Sequence, residues 1–154
     1  MLGAKTFEDR WAAIESVLGQ FGATSLNMAS LSASTGIPLW FKSSLSAPAL
    51  GEYVEAQHLS RDFIVKHAAS SERPFLWATD QRVGWEASEQ GRVFANYVRD
   101  VGEKSILCRT LRSSMSSNIK ALTFMSNGNP SEVLAPLNQS RIHEAMRLCL
   151  PWID

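Results

Sequence analysis

SILCRTLRSSMSSNIKALTFMS, residues 105–126, decides the architecture. Its flanks, SILCRTL (105–111) and NIKALTFMS (118–126), alternate as strands do, and the polar run SSMSS (113–117) lies between them. The pattern predicts a β-hairpin with a polar loop. Upstream, Trp85, Phe94, Tyr97, Val98 and Val101 mark a helix over 85–101, ended by Gly102. PFLWA (74–78) reads as a strand. Ser60 is expected to cap a helix over 61–70 with Asp62 in its first turn, and Pro48 suits the start of a helix carrying Leu50, Tyr53, Val54 and Gln57. TSLNMASLSA (24–33) and IPLWFKS (37–43) read as strands joined at Thr35-Gly36. Before them, Thr6 and Asp9 form a capping box for an amphipathic helix over 7–21, stopped by Gly22. Downstream, NGNP (127–130) is a turn, and Asn138 is the expected cap of a helix over 138–150 with Ile142, Ala145, Met146 and Cys149 inward.

Strands that follow one another without regular crossovers favour an antiparallel sheet. The expected fold is therefore α+β: an α/β/α sandwich with a central antiparallel sheet of about five strands and helices on both faces. The 154 residues are expected to form one domain, without internal repeat or linker.

Fifteen basic and fifteen acidic side chains give zero formal charge, which argues against a domain that itself grips nucleic acid by its phosphates. The charged N-terminal stretch MLGAKTFEDRWAAIESVLGQF is neither signal peptide nor membrane span. Cys108 and Cys149, far apart in apolar segments, read as buried free thiols of a cytoplasmic protein. Five tryptophans hint at an aromatic-lined cavity or an interface. No hydrolase elbow, Walker loop, dinucleotide fingerprint or zinc-protease motif is present, and the three histidines do not fall at metal-ligand spacing with the cysteines. Neither metal nor cofactor is expected, and nothing supports an enzyme.

HLSRDFIVKHAASSERPFLW (58–77) carries the functional signal. Tyr53 precedes Asp62 by nine residues, Asp62 opens a D-x-x-V run, and Trp77 follows Asp62 by fifteen. With the order of the downstream helix and strands and the terminal LCLPW, this resembles the autoinducer-binding domain of LuxR-type quorum-sensing regulators. The resemblance implies an α/β/α sandwich holding an N-acyl homoserine lactone between the sheet and one helix layer. It implies that Asp62 accepts a hydrogen bond from the ligand amide, that Tyr53 donates to the acyl carbonyl and that Thr123 assists there. Trp77 would wall the lactone end, and Phe94 and Val98 would line the acyl chain. Two positions depart from the family pattern: Phe63 stands where a proline usually follows the aspartate, and Ala49 stands where a tryptophan usually binds the lactone carbonyl. Trp85 and Trp40 are the candidates for replacing that indole.

Each of these residues also has a plainer reading. Asp62 suits a helix cap, Trp77 core filling, Tyr53 a half-buried packing position and Thr123 ordinary strand preference. His58 and His67 read as surface or satisfied histidines. The expected function is the sensing domain of a LuxR-family transcriptional regulator that binds an acyl homoserine lactone or similar amphipathic signal and couples binding to folding and homodimerisation. DNA would be reached only through a C-terminal helix-turn-helix domain not contained in this chain, and no membrane is involved. The alternative is a ligand-independent dimerisation or interaction module on the same scaffold. An enzyme acting on a small amide or lactone, with only Asp62 and Tyr53 to work with, ranks last.

Overall fold

The hairpin read at 105–126 supplies two of the three middle strands of the sheet. A computed structural model describes residues 6–112 and 117–153. In chain order the elements are α1 (Phe7–Gly19), β1 (Ser25–Ser32), β2 (Pro38–Ser43), α2 (Ala47–Glu55), α3 (Phe63–Ser70), β3 (Phe75–Ala78), α4 (Glu89–Val101), β4 (Ser105–Arg112), β5 (Asn118–Ser126), α5 (Pro130–Val133) and α6 (Pro136–Cys149). Short 3-10 turns lie at His58–Arg61, Gly84–Ala87 and Leu150–Trp152. The sheet runs β2-β1-β5-β4-β3, and every pair is antiparallel. Residues 113–116 of the expected SSMSS loop lie outside the described residues.

The alternation in β4 and β5 is apolar on both sides, because the sheet is covered twice. Leu26, Met28, Leu107, Leu122 and Phe124 pack with Trp11, Ile14 and Leu18 of α1 and Ile142, Met146 and Cys149 of α6. Residues one step out of phase, Leu31, Ile106, Cys108, Ile119, Ala121 and Met125, pack with Ile64 and Ala68 of α3 and Phe94, Tyr97 and Val98 of α4. Period-2 side-chain direction thus feeds two separate cores. This is the expected α+β sandwich.

Several boundaries differ from expectation, each for a local reason. α1 begins with the Thr6–Asp9 capping box but ends at Gly19, because the next amides fold into tight turns ahead of Gly22, whose φ is 95°. The expected helix over 61–70 starts at Phe63, with Asp62 rather than Ser60 as its cap. Ser60 sits in the preceding 3-10 turn and donates to the Gln57 carbonyl. Asn138 does not cap α6: Pro136 opens that helix, and the Asn138 amide instead donates to the Glu132 carbonyl of α5 at 2.8 Å. The NGNP turn carries one unforeseen feature, Asn129 capping the short α5.

The expected helix over 85–101 is broken. Gly84–Ala87 forms a 3-10 turn, and Ser88 then caps α4. Gly91 is what allows the two to pack, since a Cβ there would lie 1.8 Å from the Trp85 carbonyl oxygen. Gly91→Ala is expected to push the Trp85 turn off α4 at the 1–3 kcal/mol typical of overpacking, lowering Tm by several degrees. Gly84→Ala, with open space around its Cβ, is the control and should leave the melt nearly unchanged.

Candidate ligand-binding site

The two helix layers do not close equally well. Between the sheet and α2–α4 the core leaves a cavity of about 100 Å³. Its floor is the inward face of the sheet, including Asn27, Ala29, Leu31, Ala121 and Thr123. Leu50 and Tyr53 of α2, Asp62, Ile64 and Val65 around the start of α3, and Phe94, Tyr97 and Val98 of α4 form its walls. Two lining residues are largely exposed, Phe41 at 53% and Leu59 at 45%, so the cavity's rim lies between β2 and the His58–Arg61 turn.

Asp62 is 8% exposed and does two jobs at once. Its Oδ1 accepts from the backbone N–H groups of Ile64 at 2.9 Å and Val65 at 3.0 Å, capping α3. Its Oδ2 accepts from the Tyr53 hydroxyl at 2.8 Å. Burial raises the Asp62 pKa, opposed by those three hydrogen bonds and by Lys66. Burial likewise pushes the Tyr53 phenol far up, with the Asp62 charge and hydrogen bond adding to it. Tyr53 is therefore a neutral donor locked onto the carboxylate.

A second tether sits above it. Tyr97, raised to about 12 chiefly by burial, donates its hydroxyl to the Ala49 carbonyl at 2.8 Å. That contact ties α2, which has no buried residue, to α4. His58 corrects an expectation: it is 3% exposed, lies 4.4 Å from the Tyr97 ring and leaves Nδ1 without a partner. Burial lowers its pKa, as does Arg61. His67 is half-buried and satisfied, as one of the two expected readings had it, with Nε2 at 2.7 Å from the Arg73 carbonyl oxygen.

The structure brings Tyr53, Asp62, Phe94, Val98 and Thr123 together on the cavity and leaves Trp77 and Trp85 off it. Trp77 lies on the far edge strand, donates Nε1–H to the Gln81 carbonyl and meets Trp85 edge to face at 4.9 Å. Trp85 stacks on Phe63 at 4.8 Å. Trp40 packs against Phe7 in the opposite core. None of the five tryptophans lines the cavity; its aromatic walls are Phe41, Tyr53, Phe94 and Tyr97. Sequence reasoning missed Asn27, Glu103 and Tyr97. The period-2 pattern of β1 was a usable signal for Asn27, because it places residue 27 on the same face as 29 and 31.

Burial holds the Cys108 thiol up at about 12, against the partial relief given by the Thr123 hydroxyl. It is no nucleophile at neutral pH. Among the described residues no cluster of His, Cys, Asp and Glu is placed to hold a metal. Nor, among them, is any helix long and apolar enough to cross a membrane.

No protein-family model matches the chain, and no curated protein matches it. Solved structures do. CepR2 of Burkholderia cenocepacia, an N-acylhomoserine lactone dependent LuxR-family transcription factor, superposes with a TM-score of 0.72 at 16% identity, over 99% of this chain and 89% of its own. Escherichia coli SdiA gives 0.68 at 14% identity over 99% of this chain and 63% of its own. SdiA in complex with octanoyl-rac-glycerol gives 0.67 at 15% identity, over 99% and 64%. The chain spans a little under two thirds of these two SdiA chains. Its fold is that of the ligand-binding domains of LuxR-family regulators.

Proposed function

We propose that this chain is the sensing domain of a LuxR-type transcriptional regulator, and that it binds an N-acyl homoserine lactone or a similar acyl amphiphile in the cavity beside Asp62. The carrying observation is the Tyr53–Asp62 pair, half-buried tyrosine on buried aspartate, at the wall of an otherwise mainly apolar cavity. The ligand amide N–H meets Asp62, and the acyl chain lies along Phe94, Val98 and Ile64. Each buried methylene contributes about 0.8 kcal/mol, so the chain dominates affinity and the polar pair fixes orientation. CepR2 depends on acyl homoserine lactone, and SdiA has been captured with an acyl glycerol; both combine an acyl chain with a compact polar head.

The cavity of about 100 Å³ is smaller than the roughly 300 Å³ at the low end for ligand pockets. Binding therefore requires expansion, and α2 is the wall that gives way. Ligand-driven ordering of that wall is the proposed switch, coupled to homodimerisation and, through a helix-turn-helix domain beyond this chain, to DNA. Thermal melts with acyl homoserine lactones of increasing chain length test the reading. Tm is expected to rise with ligand in excess, and to rise further with chain length until the cavity is full.

The small empty volume and the lack of any indole in the cavity favour a second reading, a ligand-independent interaction module. Melts unchanged by every lactone and by acyl glycerol would decide for it.

A further inference from the structure

We infer that the cavity contains a second polar subsite, built on Asn27, which takes a neutral hydroxyl group of the ligand; this rests on the sensing-domain reading above. Strand register places it. Ser43 pairs with Asn27, Asn27 with Thr123, and Thr123 with Cys108. All four line the cavity. With strands about 4.8 Å apart, they form a polar row roughly 14 Å long across the floor. The adjacent row, Phe41, Ala29 and Ala121, is apolar.

Within the polar row only Asn27 has a buried polar atom left without a partner. Ser43 Oγ accepts from the Leu45 amide at 3.1 Å, and the Thr123 hydroxyl lies beside its register partner Cys108. Asn27 Oδ1 is buried without any partner. A buried unpaired amide oxygen is retained at a cost to the empty fold, and groups of that kind call for an explanation. A ligand group that fills the vacancy supplies one. A hydroxyl both donates and accepts, so it satisfies the carboxamide whichever way its oxygen and nitrogen are oriented.

Charge narrows the choice further. The lining holds two acidic side chains, Asp62 and Glu103, and no Lys, Arg or His. Glu103 is buried and accepts from the Ser25 hydroxyl at 2.8 Å and the Thr24 hydroxyl at 3.0 Å. A carboxylate or phosphate on the ligand would meet acids and no countercharge. The second polar group is therefore not an anion, and a hydroxyl supplies the donor without the cost of burying an ammonium.

The test uses N-octanoyl homoserine lactone and its derivatives hydroxylated singly at C3, C5 or C7 of the acyl chain, titrated calorimetrically into wild type, Asn27→Leu and Asn27→Ala. At one position the hydroxyl is expected to tighten binding to wild type by about three- to tenfold, and in both variants that ratio is expected to fall to about one. The empty Asn27→Leu protein is expected to melt no lower than wild type. A hydroxyl advantage at no position, one that survives in both variants, or a melt several degrees lower in empty Asn27→Leu would overturn the assignment. If neither plain nor hydroxylated lactone binds wild type, the sensing reading itself falls and takes this subsite with it. That outcome differs from plain binding without hydroxyl preference.

Discussion

Replacing Asp62 by Asn is expected to weaken binding of an N-acyl homoserine lactone by about 10- to 100-fold while the domain still folds. A carboxylate offers about four acceptor positions. Three are occupied, by the amides of Ile64 and Val65 and by the Tyr53 hydroxyl. One remains on Oδ2, the oxygen that Tyr53 approaches. Asparagine keeps an oxygen for the helix cap, and its amide N–H can donate to the Tyr53 oxygen, so the local structure survives. The ligand N–H, however, then faces another N–H. Loss of a charge-assisted hydrogen bond costs about 1.5–3 kcal/mol, which sets the expected change in Kd. An unchanged Kd would remove Asp62 from the site and leave it only a cap. The empty protein offers a check through pH. Burial holds the folded pKa of Asp62 above the ordinary aspartate value, so between the unfolded and folded values the folded state binds the proton more tightly than the unfolded one. Stability from this group is fully present below the unfolded pKa and falls as pH rises through the folded one. Asp62→Asn should lack that part of the decline in a series of denaturant melts across pH.

Much of the fold was legible because its signals are local. The Thr6–Asp9 box, the Gly102 stop and the hairpin strands each announce themselves within a few residues. What failed was parity and pairing across distance. Whether Pro38 faces the cavity depends on a register shift in the β1–β2 pairing, where Ser30 meets Trp40 but Leu31 meets Pro38. Alternation alone sets Phe41 toward the cavity and Trp40 away from it, and the extra residue, Leu39, brings Pro38 onto the same side as Phe41. Composition alone carries no trace of that. Asp62 posed a false choice in the sequence between helix cap and cavity-facing acid. Its two oxygens point different ways, so one residue fills both positions. Asn27 and His58 stayed invisible because what singles them out is a missing partner, and a missing partner belongs to the folded chain.

Ala121→Leu separates the sensor from a ligand-free module more sharply than any change at the polar pair. Ala121 pairs with Ala29, and the two small side chains leave space in the cavity floor. Leucine at 121 is expected to grow into that space rather than into packed neighbours. Filling all of a cavity near 100 Å³ would recover at most about 2 kcal/mol at roughly 24 cal/mol per Å³. A partial fill should raise the Tm of the empty protein by about 2–6 °C. The same methyl groups occupy the volume an acyl chain needs, so the lactone-induced rise in Tm is expected to vanish. A gain in stability accompanied by loss of response has one physical origin: the hollow is kept open at the expense of the fold because a ligand goes there. If the variant melts higher and still shifts with lactone, the ligand lies elsewhere. If wild type and variant both ignore every acyl compound, the hollow is a packing fault and the scaffold acts through its surface.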